Sequence, residues 1–140
     1  MTCSSRDKNY AICQININGL SKHCLTSLDK FIYQRGISIL ALQETKVNTI
    51  KEDQFRGMST FVNSVGLGVG LSISKQLKPQ LLTQLNDEDS SILWASAYIN
   101  NTTALIASAY CTPEVSSTKS LHLLLLSLIH ISEPTRPERS

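Results

Sequence analysis

Apolar and polar positions at the start of the chain predict a strand, a helix and a second strand. Residues 10–17 alternate imperfectly, with isoleucines as the apolar members, and predict the first strand. Apolar residues recur at helical spacing over 25–32, between Ser21 as a candidate N-cap and Gly36 where a C-terminal glycine is expected. Residues 37–42 are apolar with one serine, which is typical of a strand buried on both faces. This order predicts a βαβ unit with a right-handed crossover.

The pattern after this unit predicts antiparallel strands separated by turns. Residues 47–58 are polar and predict a loop. Glycines at 66, 68 and 70 raise the alternative of a phosphate-binding loop, but no Lys-Ser or Lys-Thr follows and no helix opens there, which favours a hairpin turn. Asn-Asn at 100–101 is a two-residue hairpin signal. The predicted strands are residues 60–65, 69–74, 81–85, 92–99 and 103–110.

Composition is that of an ordinary globular chain of one domain. The chain has 140 residues, of which 41% are hydrophobic and 17% are charged. Its net charge of +2 is too small to indicate nucleic-acid binding by itself. Four cysteines without a Cys-x-x-Cys pair, and no secretory signal, favour free thiols in an intracellular protein that is not secreted. The apolar run at 121–131 is shorter than the roughly 20 residues that a membrane span needs, so no membrane association is expected.

Polar side chains stand where the two predicted parallel strands end. Asn16 closes the first strand, and Glu44 directly follows the second. Ligands of open α/β sheets bind beyond the strand ends, and the crossover brings both ends to the same edge. Glu44 is therefore the first candidate for a catalytic residue, and a solvated glutamate that begins a loop is the alternative. The acidic turn at 86–89, an asparagine followed by three carboxylates, is a further candidate metal site, although consecutive carboxylates are more typical of a solvated turn.

Three short motifs at strand ends resemble the endonuclease/exonuclease/phosphatase superfamily. They are Asn-Ile-Asn-Gly at 16–19, Leu-Gln-Glu-Thr at 42–45 and Tyr-Cys-Thr-Pro at 110–113. Each is weak alone, but their order, spacing and placement together are specific. The sequences of these motifs are most similar to those of the endonuclease domain of LINE-type non-LTR retrotransposons, and the resemblance covers residues 10–120. The resemblance implies an α/β fold, the N-terminal half of a four-layer α/β sandwich, with the second sheet mostly absent.

The same resemblance implies roles for three residues. Glu44 corresponds to the glutamate that binds Mg²⁺, with Mn²⁺ as an alternative, against the scissile phosphate. Asn16 corresponds to an asparagine beside the metal and the phosphate, and Tyr110 to a tyrosine that contacts the phosphate. These residue types suit the chemistry, because Mg²⁺ prefers oxygen ligands and because Asn and Tyr donate hydrogen bonds without adding negative charge. The structural alternatives are a turn-forming Asn16 and a core aromatic Tyr110, whose motif is one residue longer than the Tyr-Ala-Pro usual in the family.

The activity implied by the resemblance is Mg²⁺-dependent nicking of target DNA in the nucleus, in a parent protein with a downstream reverse transcriptase domain. The Gly-Asp-x-Asn and Ser-Asp-His motifs of the family do not occur in the sequence, so this fragment is expected to be inactive by itself. A phosphatase or phosphodiesterase acting on small or lipid phosphates is one alternative, and a non-functional truncated product is another. Basic residues that favour DNA near the site are few: Lys46, Lys51 and Arg56.

The end of the sequence resembles translated sequencing adapter. Residues 126–136 are identical to one reading frame of a widely used transposase adapter. A genuine polar tail is the alternative. The expected organisation is a flexible N-terminus at 1–9, a truncated domain at 10–126 whose last part begins a helix at residue 116, and a non-native tail at 127–140.

Overall fold

A computed structural model of the chain describes residues 9–86 and 91–110. These residues form two β-sheets and one α-helix, together with two short 3-10 helices at Lys75–Leu77 and Thr83–Leu85. The helix, α1, spans Lys22–Arg35. The strands are β1 (Ala11–Asn16), β2 (Ile37–Gln43), β3 (Met58–Asn63), β4 (Val69–Ser74), β5 (Gln80–Leu81), β6 (Ile92–Ile99) and β7 (Thr102–Ala109).

The first sheet has the strand order β1-β2-β4-β3. β1 and β2 are parallel and are connected by α1, whereas β4 is antiparallel to both β2 and β3. This arrangement confirms the predicted βαβ unit and the hairpin between β3 and β4. β3 begins and ends two residues earlier than the predicted 60–65 segment.

Both ends of α1 are capped as the sequence predicts. The Ser21 hydroxyl accepts a hydrogen bond from the Cys24 backbone N–H at 3.1 Å. Gly36 adopts the left-handed conformation, with φ of 62°, and its N–H donates to the Ile32 carbonyl. Because a residue with a Cβ is strained at this φ, glycine suits the end of the helix.

The second sheet has the order β5-β6-β7 and is antiparallel throughout. Asn100 and Asn101 both have positive φ, of 50° and 64°, as a two-residue hairpin turn between β6 and β7 requires. Three strands of this sheet are present in the described residues, so the expectation that it would be mostly absent is wrong.

The predicted strand at 81–85 is wrong after Leu81. The Leu82 N–H still donates to the Trp94 carbonyl at 3.0 Å, but the Leu82 carbonyl accepts from the Leu85 N–H at 3.0 Å. It also accepts from the Asn86 side chain at 3.0 Å. The backbone therefore turns away from β6 instead of extending the ladder. The predictions for residues 1–8, 87–89 and 111–140 lie outside the described residues.

Two apolar cores lie on opposite faces of the first sheet. The core between the sheets contains residues of β2 and β4 together with the inward face of β6, which consists of Leu93, Ala95 and Ala97. The other core lies between the first sheet and α1. β2 contributes Ile39 to the core between the sheets, and Leu40 and Leu42 to the core beside α1. This confirms that the strand is buried on both faces. Within the described part of the chain, no helix is long and apolar enough to cross a membrane.

Several hydrogen bonds between described residues join the two sheets at one edge. Asn63 Nδ2, at the end of β3, donates to the Ile92 carbonyl at 3.1 Å, and Ser91 Oγ donates to the Val65 carbonyl at 3.0 Å. Ser108 Oγ of β7 donates to the Leu42 carbonyl of β2 at 3.2 Å. The carboxyl ends of β1, β2 and β7 therefore meet at the same edge of the molecule.

Candidate active site

Asn16 and Glu44 are in direct contact at this edge. Asn16 pairs with Gln43 in the parallel ladder, so the residue after Gln43 emerges beside it. Asn16 Nδ2 donates a hydrogen bond to Glu44 Oε2 at 2.9 Å. Asn16 is exposed and Glu44 is half-buried, so solvent reaches the pair. The expectation that the two strand ends come together is confirmed.

The backbone at Glu44 is strained and firmly held. Its φ of 58° lies in the left-handed region, which costs a residue with a side chain about 1–2 kcal/mol. The Glu44 N–H donates to the Gly68 carbonyl at 2.8 Å, and the Glu44 carbonyl accepts from the Gly19 N–H at 2.7 Å. The surrounding structure therefore over-determines this conformation, as is common at functional sites.

Gly68 is a part of the site that the sequence pattern did not reveal. It is buried in the β3–β4 turn with φ of 90°, and a Cβ there would collide with the Thr45 hydroxyl oxygen and lie 3.1 Å from the Lys46 nitrogen. Thr45 is 0% exposed, and its Oγ1 makes no hydrogen bond in the described residues. The hairpin turn thus packs directly under the loop that carries Glu44. The glycine pattern at 66–70 was the available signal, and it indicated only the turn.

Of the three basic residues noted in the sequence, Lys46 stands at the site. Its ammonium donates to Asn18 Oδ1 at 2.6 Å, which ties together the two loops that follow β1 and β2. Arg56 is engaged elsewhere, in an ion pair with Asp29 at 3.1 Å and with its guanidinium 4.2 Å from the Tyr33 ring centroid. Lys51 lines a groove beside the N-terminal part of α1.

Tyr110 follows the last residue of β7, at the same edge but in the opposing sheet. It is half-buried and packs against the core between the sheets, and its N–H donates to the Ser91 carbonyl at 3.0 Å. It stands two residues after Ser108, which contacts the end of β2. The structure therefore brings Asn16 and Glu44 into contact and places Tyr110 on the other sheet at the shared edge.

The oxygen atoms at the Asn16–Glu44 pair suit a hard cation. Glu44 Oε1 and Asn16 Oδ1 accept no hydrogen bond from the described residues, and both are ligands that Mg²⁺ prefers. No group of three or more His, Cys, Asp or Glu residues converges within the described ranges. A protein nevertheless often supplies only one carboxylate ligand to Mg²⁺, because the ion keeps several waters and substrate phosphates as its other ligands.

Comparison with known proteins gives the class of fold. No protein-family model matches the sequence, and no curated protein matches it. Solved structures do match, and they show that the chain has an α/β fold shared with known endonucleases. This outcome confirms the fold expected from the three motifs.

Two of the matching structures are endonucleases, and a third was determined with a single-strand DNA product. The endonuclease domain of TRAS1, a telomere-specific non-LTR retrotransposon, is 18% identical, with a TM-score of 0.64 over 84% of this chain and 52% of that one. The AP endonuclease LMAP from Leishmania major is 17% identical, with a TM-score of 0.57 over 84% of this chain and 44% of that one. TDP2 from D. rerio, complexed with a single-strand DNA product, is 15% identical, with a TM-score of 0.59 over 85% of this chain and 54% of that one. The chain thus spans about half the length of the structures that it matches.

Proposed function

We propose that this chain is part of a Mg²⁺-dependent endonuclease of retrotransposon type that hydrolyses phosphodiester bonds in DNA. The observation that carries the proposal is the Asn16–Glu44 pair, joined at 2.9 Å and open to solvent at the edge where the two sheets meet. The fold that presents this pair is also that of the TRAS1 endonuclease domain, which supports a nuclease over other uses of the fold.

The proposed chemistry divides among four side chains. Glu44 would hold Mg²⁺ through its carboxylate, and the bound ion would supply positive charge that stabilises the phosphorane. Asn16 orients that carboxylate and would donate to a phosphate oxygen from its side-chain amide. Tyr110 would donate to the phosphate from the opposite sheet. Lys46, exposed beside the pair, would attract the DNA backbone.

The groups that prepare the attacking water would come from outside the described residues. General-base catalysis typically contributes about 10²–10⁴-fold, so its loss alone makes hydrolysis slow. We therefore propose that the 140-residue chain has no measurable activity by itself and needs the remainder of such a domain. The parent protein would act on DNA in the nucleus and carry a reverse transcriptase domain.

The test is nicking of supercoiled plasmid with and without a chelator. The chain is assayed as it is, and also fused after Lys119 to the C-terminal half of the TRAS1 endonuclease domain. Nicking by the fusion should require Mg²⁺. Glu44→Gln should abolish it, because an amide lacks the charge that holds the cation, and Asn16→Ala should lower it by about 10²–10³-fold.

Glu52→Gln is the matched control, since Glu52 is an exposed glutamate in the loop after the site. It should leave nicking unchanged. A fusion whose Glu44→Gln variant nicks as fast as the parent would refute the proposed site. Release of inorganic phosphate from small phosphate esters without nicking would identify a phosphatase instead.

A further inference from the structure

A chain of hydrogen-bonded polar side chains crosses from one sheet to the other beside the candidate site, exposed at Gln14 and buried at Gln43 and Ser108. Gln43 is 5% exposed, and its Oε1 accepts from Gln14 Nε2 at 3.1 Å. Its Nε2 donates to Ser108 Oγ at 3.2 Å, and Ser108 is 1% exposed. Ser108 Oγ in turn donates to the Leu42 carbonyl at 3.2 Å. Gln43 therefore links β1, β2 and β7.

Each member of this polar chain lies one or two residues before a candidate residue of the site. Gln14 precedes Asn16 by two residues on β1, and Ser108 precedes Tyr110 by two residues at the end of β7. Gln43 immediately precedes Glu44. Side chains two residues apart on a strand share a face and are separated by about 7 Å, from a rise of about 3.3 Å per residue. Gln14 and Ser108 are thus one layer below Asn16 and Tyr110, and Gln43, which precedes Glu44, joins them by hydrogen bonds.

We infer that Gln43 is a positioning residue that sets the separation between the Asn16–Glu44 pair and Tyr110. This inference rests on the proposed function, in which both ends hold the same phosphate. An apolar side chain could fill the same space between the sheets, but it would make no directional contact with β1 or β7. A glutamine that is bonded on both sides fixes the end of β7 against the end of β2. Burying an amide is costly unless it is fully bonded, and this one has partners for both its oxygen and its nitrogen.

The first measurement uses the chain itself and does not depend on activity. Gln43→Met keeps the length of the side chain and removes both hydrogen bonds, and Ser108→Ala removes the link to β7. Both variants should shift the NMR signals of the Asn16 side-chain amide and the Tyr110 backbone amide. Ser72→Ala is the matched control, because Ser72 is a fully buried serine that shares a 2.8 Å hydrogen bond with Thr60 in the middle of the first sheet. It should destabilise the fold by a similar amount without moving those two signals.

The second measurement asks whether the effect passes through Tyr110. In the active fusion, Ser108→Ala should lower kcat by about 10–100-fold with little change in KM, the loss expected when a reacting group is misplaced by about 1 Å. In a Tyr110→Phe background, Ser108→Ala should lower kcat by less than about twofold, because the effects of substitutions at coupled residues do not add.

The outcomes separate this inference from the proposed function. Equal losses of kcat in both backgrounds, or Asn16 and Tyr110 signals that stay in place in Gln43→Met and Ser108→Ala, would overturn the positioning role. If no fusion is active, the NMR signals of the Asn16 side-chain amide and the Tyr110 backbone amide alone test the positioning role of Gln43. An unaffected Glu44→Gln variant would refute the nuclease site and leave the measured coupling between the sheets intact.

Discussion

Gly68→Ala should destabilise the protein through one identified collision. Gly68 is buried, has φ of 90°, and its carbonyl accepts from the N–H groups of Glu44 at 2.8 Å and Thr45 at 3.3 Å. A Cβ at this position would collide with the Thr45 hydroxyl, and it would lie 3.1 Å from the Lys46 nitrogen. The loop that carries Glu44 would have to move away from the turn that holds it.

The expected magnitude comes from three terms. The left-handed conformation costs alanine about 1–2 kcal/mol. Overpacking adds about 1–3 kcal/mol. Alanine also lowers the conformational entropy of the unfolded chain, which stabilises the folded state by about 0.4–1 kcal/mol. The net loss in the free energy of unfolding is about 3 kcal/mol, which lowers Tm by about 10 °C.

Urea denaturation measures this loss, with an unchanged m value as the sign that the unfolding transition is comparable. Gly57→Ala is the matched control, because Gly57 has φ of 70° and a Cβ there would meet nothing within 4 Å. Only the backbone cost applies, so the control should lose about 1 kcal/mol. Thr45→Ala in the Gly68→Ala background should recover part of the loss by removing the colliding hydroxyl. Equal losses for Gly68→Ala and Gly57→Ala, or no recovery by Thr45→Ala, would refute the reasoning.

Three further outcomes are expected elsewhere in the fold. Ser21→Ala should lower the free energy of unfolding by about 1 kcal/mol, because the helix loses its N-cap. Ser27→Ala, on the exposed face of α1, should leave the free energy of unfolding unchanged. Equal effects of the two substitutions would contradict the role of Ser21 as a cap. Asp29→Ala should cost about 1 kcal/mol or less, because the Arg56 side chain is 58% exposed, and Asp29→Asn should cost less because it keeps an acceptor for the Arg56 backbone N–H. Burial raises the pKa of the Cys24 thiol, so at a pH near the ordinary thiol pKa of about 8.5 iodoacetamide should alkylate Cys24 more slowly than free cysteine. The rate of alkylation of Cys24 should still increase at higher pH. Mass spectrometry measures both rates.

Local patterns in the sequence determined most of the secondary structure. The Ser21 and Gly36 caps, the apolar run of β2 and the Asn-Asn turn at 100–101 all act over a few residues, so composition and spacing reveal them directly. The contact between Asn16 and Glu44 was also predictable, because a βαβ unit brings the ends of its parallel strands together.

Tertiary structure alone decided how the two sheets meet. The predicted strand at 81–85 turns after Leu81 because the Leu82 carbonyl is used by a turn and by the Asn86 side chain. The positive φ of Glu44 depends on hydrogen bonds to Gly19 and Gly68, which come from two separate loops. Gln43 and Ser108 are 65 residues apart in sequence, yet they share a hydrogen bond. Periodicity and local propensity describe neighbours along the chain, whereas these contacts depend on which faces and ends of the sheets pack together.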